Sequence, residues 1–325
     1  MKAAICRRYG APEVVSVEEI PAPAPGVGEV LVAVEAAGLT SGDARIRGAR
    51  APGGMGPMIR LAFGLTGPRR PTLGREYAGR VAALGEGVAR FRQGEAVFGI
   101  TDGMRLGAHA EYVVVKADGL ILPRPDSLSA PEAAAFFFGG LTAADFLLDQ
   151  CALRPAERVL VAGATGAVGS AAVQIARRHG AHVTALASAA NLELARELGA
   201  HEALDYRAEW AGEPFDVILD APGLLPNALA RLSPGGRLGL ATASLSEMLG
   251  AMLRPRRAGG RRLCVNVVKE NPKAVARLMA LHQAGGYKPL MGEAFPLSEI
   301  ARAYARADSG HKRGNLVILM EERQP

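Results

Sequence analysis

The stretch RVLVAGATGAVGSAAVQIARRHG, residues 158–180, decides the fold. Arg158-Val159-Leu160-Val161-Ala162 is a short apolar run, the pattern of a strand buried on both faces. Gly163-Ala164-Thr165-Gly166-Ala167-Val168-Gly169 turns the chain, and an amphipathic helical segment follows. In such a strand–turn–helix unit three positions are special, here Ala164, Gly166 and Gly169. The second must be glycine so that backbone amides can approach a pyrophosphate, and the third lets the helix pack closely on the strand. Free N–H groups and the dipole at the helix start then favour the anion. The unit predicts a dinucleotide site in which Ala164, Thr165, Gly166, Ala167, Val168 and Gly169 face the pyrophosphate.

Outward from this unit the same rhythm continues. HVTALA, NLELARELG, EALDY, FDVILD and RLGLAT alternate strands with helical segments, which predicts a parallel, doubly wound sheet. RLCVNVV, residues 262–268, reads as its outermost strand. Upstream, residues 30–36, 77–84, 96–100 and 110–115 read as short strands between Gly and Pro turns. Ser129 and Glu132 form a capping-box pattern that opens an Ala-rich helix. Downstream, 298–308 reads as a helix stopped by Gly310, and 316–320 as a terminal strand. Residues 47–70 are rich in Gly, Pro and Arg, with apolar Met55, Met58, Ile59, Leu61 and Phe63 among them. A loop of that length suggests a lid.

Composition narrows the function classes. The 325 residues are 49% hydrophobic and 22% charged, which excludes a disordered chain. The formal net charge is +6, and only six of the 38 basic residues are Lys. The Arg residues are scattered without aromatic interleaving, so nucleic acid is not the expected partner. Cys6, Cys151 and Cys264 are odd in number and show no CxxC, which argues against a disulfide framework. The N-terminal residues lack the apolar region of a signal peptide, and the apolar run 133–144 is too short to span a bilayer. The expected location is cytoplasmic. The six histidines (109, 179, 182, 201, 282 and 311) form no metal-binding pair and read as surface or loop residues.

The second strand of the dinucleotide unit should end near Ala187 or Ser188, where NAD enzymes place an acid on the ribose 2′-hydroxyl. The next acid along the chain is Glu193, already inside the following helix. Without that carboxylate a 2′-phosphate is not repelled. Ser188, Asn191, Tyr206 and Arg207 are the donors at hand, so NADPH is the expected cofactor, with NADH as the alternative.

These pieces together resemble a family. PTLGREYAGRVAALGEGVARFRQGEAVFGI, GAHAEYVVV, LPRPDSLSAPEAA, GLTAADFLL, the 158–180 stretch and DSGHKRGNLVIL match the medium-chain dehydrogenase/reductase superfamily. Within it the chain is most similar to the zinc-free, zeta-crystallin-like quinone oxidoreductase branch. The resemblance implies a discontinuous GroES-like β-barrel catalytic domain, residues 1–122 and 287–325, around a Rossmann domain, residues 123–286. Zinc members carry a Cys soon after the first strands and a Gly-His-Glu motif. Here those places read Leu39-Thr40-Ser41-Gly42-Asp43 and Gly74-Arg75-Glu76. A catalytic zinc needs about three N or S ligands, so no metal is expected. The resemblance puts Thr40 beside the nicotinamide, in the place of the branch's usual Asn. It makes Asp43 either a turn cap or a catalytic partner. Thr142 would contact the carboxamide or bond its own helix, and Ala241 and Asn315 complete the cofactor positions.

The expected activity is zinc-independent, NADPH-dependent reduction of small apolar quinones or α,β-unsaturated carbonyls, with Thr40 donating to the developing oxyanion. Alternatives are an NAD(P)-dependent alcohol dehydrogenase and a nucleotide-bound, RNA- or protein-interacting zeta-crystallin-like protein. The edge strand 262–268 is expected to be paired or protected, and the resemblance implies a homodimer joined through it.

Overall fold

A computed structural model describes residues 1–51, 54–103, 105–209, 212–223, 225–253 and 258–321. The chain divides into two compact units, Met1–Ala51 with Met55–Phe137 and the chain from Met291 on, and Phe138–Leu290. The division falls at 137/138 and 290/291, where the sequence reading set it at 122/123 and 286/287. Two contacts move the first boundary: Ile121–Pro123 is a strand hydrogen-bonded to Ala96–Ile100, and Phe137 N–H donates to the buried Glu76 carboxylate at 2.7 Å.

The second unit is built on six parallel strands in the order Glu202–Asp205, His182–Ala187, Arg158–Ala162, Phe215–Asp220, Leu232–Leu240 and Arg262–Cys264. Numbered along the chain, this is the 3-2-1-4-5-6 order of the doubly wound dinucleotide fold, with its switch point beside Arg158–Ala162. Val159, Leu160, Val161 and Val183 are fully buried, as the apolar runs require. The outermost strand is shorter than expected, only Arg262–Cys264. The Gln150 side-chain amide takes both backbone groups of Asn266, accepting from its N–H at 3.0 Å and donating to its carbonyl at 3.1 Å. A side chain thus satisfies the groups that would have continued the strand.

In the first unit the long strand Glu29–Leu39 is central. Glu76–Leu84 pairs along one edge; the other is shared by Tyr112–Lys116 over its first half and Asn315–Leu319 over its second. With Ala96–Ile100, Ile121–Pro123 and Met291–Pro296 these make a seven-stranded mixed sheet. The capping box is present, Ser129 accepting from Glu132 N–H, but its helix Ala130–Ala134 is short; the further segments Phe137–Ala144 and Asp145–Gln150 follow, the last wound as a π-helix. Residues 47–70 are not a structureless loop. Gly56–Phe63 forms a helix with Pro57 in its first turn, and it leaves Met58 and Leu61 exposed. Pro52 and Gly53, within that interval, lie outside the described residues. No helix among the described residues is long and apolar enough to cross a membrane.

Candidate functional site

The glycine turn of the second unit leaves Arg158–Ala162 and enters the helix Ala167–Arg178. Gly163 takes φ +69°, a left-handed conformation that favours glycine, and the Gly163 and Ala164 N–H groups donate to Leu186 O on the neighbouring strand. A Cβ at Gly169 would overlap the Gly163 carbonyl oxygen, so the third position requires glycine on steric grounds. At Gly166 the geometry is open, and a Cβ would meet only Gly163 O at 3.4 Å. Gly166 is the helix N-cap and no side chain caps it. The helix start presents N–H groups, free space and the positive end of the dipole together. These residues fit the pyrophosphate of a dinucleotide.

The second strand of this unit ends at Ala187, followed by Ser188, to which the Asn191 amide donates at 3.1 Å. Tyr206 N–H donates to Ala187 O at 3.0 Å, which fixes Tyr206 and Arg207 at the same strand end. The Arg207 guanidinium lies 5.3 Å over the Tyr206 ring. Asp205, opposite Ala187 in register, is an acid that reading along the chain did not place here. Its carboxylate accepts from Arg207 N–H at 3.0 Å. Thr142 bonds its own helix, donating to Phe138 O at 2.6 Å. Ala241 follows Leu232–Leu240, its N–H on Asp220 O. Asp220, which the sequence reading passed over, closes the next turn by accepting from Gly223 and Leu225 N–H groups at 2.9 and 2.8 Å.

In the first unit three chain segments converge at the end of Glu29–Leu39. Leu39 pairs with Leu316 and Ala37 with Tyr77, which brings Thr40, Glu76 and Asn315 to one strand end. Thr40 caps the helix Ser41–Gly48 in a full capping box with Asp43. The Asp43 carboxylate accepts from Thr40 N–H at 2.8 Å and from the Thr40 hydroxyl at 2.6 Å, while Asp43 N–H donates back to that hydroxyl at 3.2 Å. The Thr40 proton is therefore already committed to Asp43, and presenting it to a substrate oxygen costs that bond. The other Asp43 oxygen is buried without a partner.

Lys312 is a residue the sequence reading missed. It precedes Asn315–Leu319, and its ammonium is desolvated although the residue as a whole keeps partial exposure. Burial lowers its pKa from 10.5 to about 8, opposed by the carboxylates of Asp43 and Glu76. His109 is not a surface histidine. It is fully buried, with Nε2 3.0 Å from Gly38 O and Nδ1 3.3 Å from the Tyr304 hydroxyl. It packs so closely on Gly74 that no other residue fits there.

These residues do not fit a zinc ion. Glu76 holds Phe137 N–H, and Cys151 and Cys264 are buried free thiols in the other unit. Among the described residues no three His, Cys, Asp or Glu side chains gather at a point that would hold a metal.

Two protein families match the chain. The alcohol dehydrogenase GroES-like domain matches residues 26–126, and the zinc-binding dehydrogenase family matches residues 198–318. A quinone oxidoreductase of Rattus norvegicus is 30% identical, with 98% of each chain covered. The solved quinone oxidoreductase from Coxiella burnetii superposes with a TM-score of 0.85 at 25% identity over 99% of each chain. The CurK enoyl reductase gives 0.84 at 25% identity, over 98% of this chain and 99% of the other. The chain belongs to the medium-chain dehydrogenase/reductase superfamily, in its quinone oxidoreductase branch. It is an NAD(P)H-dependent oxidoreductase.

Proposed function

We propose that the protein reduces quinones or α,β-unsaturated carbonyls with NADPH and without a catalytic zinc. The observation that carries this reading is the donor set at the end of Glu29–Leu39. Thr40, Asp43, Glu76 and Lys312 offer a capping hydroxyl, two carboxylates and an ammonium, but no N or S cluster for zinc. Oxidising an alcohol demands an alkoxide, which zinc supplies by lowering the pKa of the bound oxygen. An enone or quinone is already electrophilic and needs orientation plus stabilisation of the oxyanion that develops. The quinone and enoyl reductases among the similar proteins support the same substrate class.

The nicotinamide group supplies a hydride when bound. The uncapped start of Ala167–Arg178 holds the pyrophosphate through backbone N–H groups. Ser188, Asn191, Tyr206 and Arg207 receive the 2′-phosphate, and Asp205 opposes it, its carboxylate partly offset by the Arg207 backbone N–H it accepts. In the first unit Lys312 contributes the positive charge that steadies a developing oxyanion, while Asp43 keeps the Thr40 turn in place. Met58 and Leu61, exposed on Gly56–Phe63, suit a cover for an apolar substrate. The reading includes a homodimer through Arg262–Cys264, supported by Leu249, Met252 and Leu253 exposed on the neighbouring helix Leu245–Leu253; a monomer by light scattering removes that part.

The test is a panel of quinones, enones and alcohols with NADPH, NADH and NADP+. Expected are NADPH oxidation with a quinone or enone, little NADP+ reduction with alcohols, and rates unchanged by chelators. Robust alcohol oxidation with no quinone or enone turnover overturns the reading.

A further inference from the structure

Cys151 and Cys264 lie far apart in sequence and meet inside the second unit. Cys264 ends the outer strand Arg262–Cys264 and pairs in register with Gly239. Cys151 follows the π-helix Asp145–Gln150. A Cβ at Gly239 would stand 3.4 Å from Cys151 Sγ. Cys264 is the neighbour of Gly239 across the ladder, so its side chain shares that face. The missing side chain at Gly239 leaves room on that face for both thiols, and Cys264 Sγ lies 3.3 Å from the carbonyl oxygen of Gln150, the residue before Cys151. Both residues are buried, 1% and 5% exposed, and both thiols are free.

Their surroundings make them unequal. The Cys151 hydrogen bond, followed by the Arg262 guanidinium at 4.0 Å and the charge of Arg237, holds the Cys264 thiol below its ordinary range against the opposing effect of burial. Arg237 is itself anchored, bonding Glu157 at 2.6 Å and Cys151 O at 2.7 Å. The Cys264 thiol also donates to Gln150 O at 3.3 Å. The Cys151 thiol is raised, by its hydrogen bond to Cys264 and by burial. Cys264 is thus the more acidic of the two thiols.

We propose that Cys264 and Cys151 form a hydroperoxide-reactive dithiol, with Cys264 as the attacking sulfur and Cys151 as the resolving one. The Cys264 thiolate displaces hydroxide from hydrogen peroxide and becomes a sulfenic acid. The Cys151 sulfur then attacks that sulfur, loses its proton and expels water, so two thiols give up two electrons to the O–O bond and a disulfide closes. The link ties the outer strand to the end of the π-helix. It does not depend on which substrate the enzyme reduces.

The experiment treats the full-length protein with hydrogen peroxide at neutral pH, quenches it, and titrates thiols after denaturation. One of three thiols is expected to remain, on Cys6, with a Cys151–Cys264 cross-linked peptide by mass spectrometry that dithiothreitol reverses. Between pH 6 and 8 the rate levels off, whereas an ordinary thiol keeps climbing about tenfold per pH unit. In C151S a dimedone label collects on Cys264, and R262Q slows oxidation by about threefold. Three thiols surviving in the wild type, or a label appearing first on Cys6 or Cys151, overturns the proposal. The wild-type measurements decide it even if a variant fails to fold.

Discussion

Twice in this molecule a strand hands over to a helix at a candidate site, and the two junctions are finished in opposite ways. After Leu39, Thr40 and Asp43 cap the start of Ser41–Gly48 with their own side chains. After Ala162, the turn through Gly163 and Gly166 leaves the start of Ala167–Arg178 uncapped. The same kind of orphan N–H group is capped by side chains in one place and left without a side-chain cap in the other. A capping motif at a site thus marks a scaffold, and a missing one marks a receptor.

The comparison breaks hardest at Gly169. Gly169→Ala forces a methyl into the Gly163 carbonyl and should cost about 3 kcal/mol in denaturant unfolding, with cofactor binding lost. Gly166→Ala, where the space is open, should leave stability unchanged but weaken cofactor affinity by about tenfold or more in fluorescence titrations. Equal effects from the two changes would erase the distinction between packing and binding glycines. At the other junction, Thr40→Ala should lower unfolding free energy by about 1–2 kcal/mol with the dissociation constant for NADPH unmoved.

Lys312 sharpens the contrast through pH. Its ammonium loses its proton near pH 8 in the fold and near 10.5 in the unfolded chain, so stability should rise as pH climbs through that window. The same proton loss should lower kcat several-fold above pH 8, and Lys312→Met should flatten both dependences. The smallest effect is expected at Arg207, whose exposed guanidinium contributes less than about 1 kcal/mol. Arg207→Ala should narrow the NADPH-over-NADH preference two- to fivefold, on the order set by that energy, measured as the ratio of kcat/KM values.

Legibility in the sequence followed locality. Arg158–Ala162, His182–Ala187 and Phe215–Asp220 stand where their apolar runs put them, because a buried parallel strand carries its signal in consecutive residues. Gly163 to Gly169 could be read for the same reason. The helix Gly56–Phe63 was hidden because Gly and Pro at its start and end masked an apolar stripe. The outer strand was overestimated because Gln150, more than a hundred positions earlier, decides where it stops. Lys312 carries no local sign at all; the pairing of Leu316 with Leu39 brings it beside Asp43 and Glu76. Asp205 was missed through reading along the chain where the relevant neighbour lies across the sheet.

The pairing of Ala36–Leu39 with Leu316–Leu319 also bears on how the chain comes off the ribosome. The central strand of the first unit is made before the second unit, yet half of one edge waits for residues made after it. The Phe138–Leu290 unit, emerging whole in between, has all its strand partners within its own span and can settle first. Until Asn315–Leu319 emerges, the far half of Glu29–Leu39 stays an open, apolar template of the kind that recruits other chains. Translation interrupted before Asn315–Leu319 is therefore a sharper aggregation hazard for this protein than a lesion inside the nucleotide-binding half.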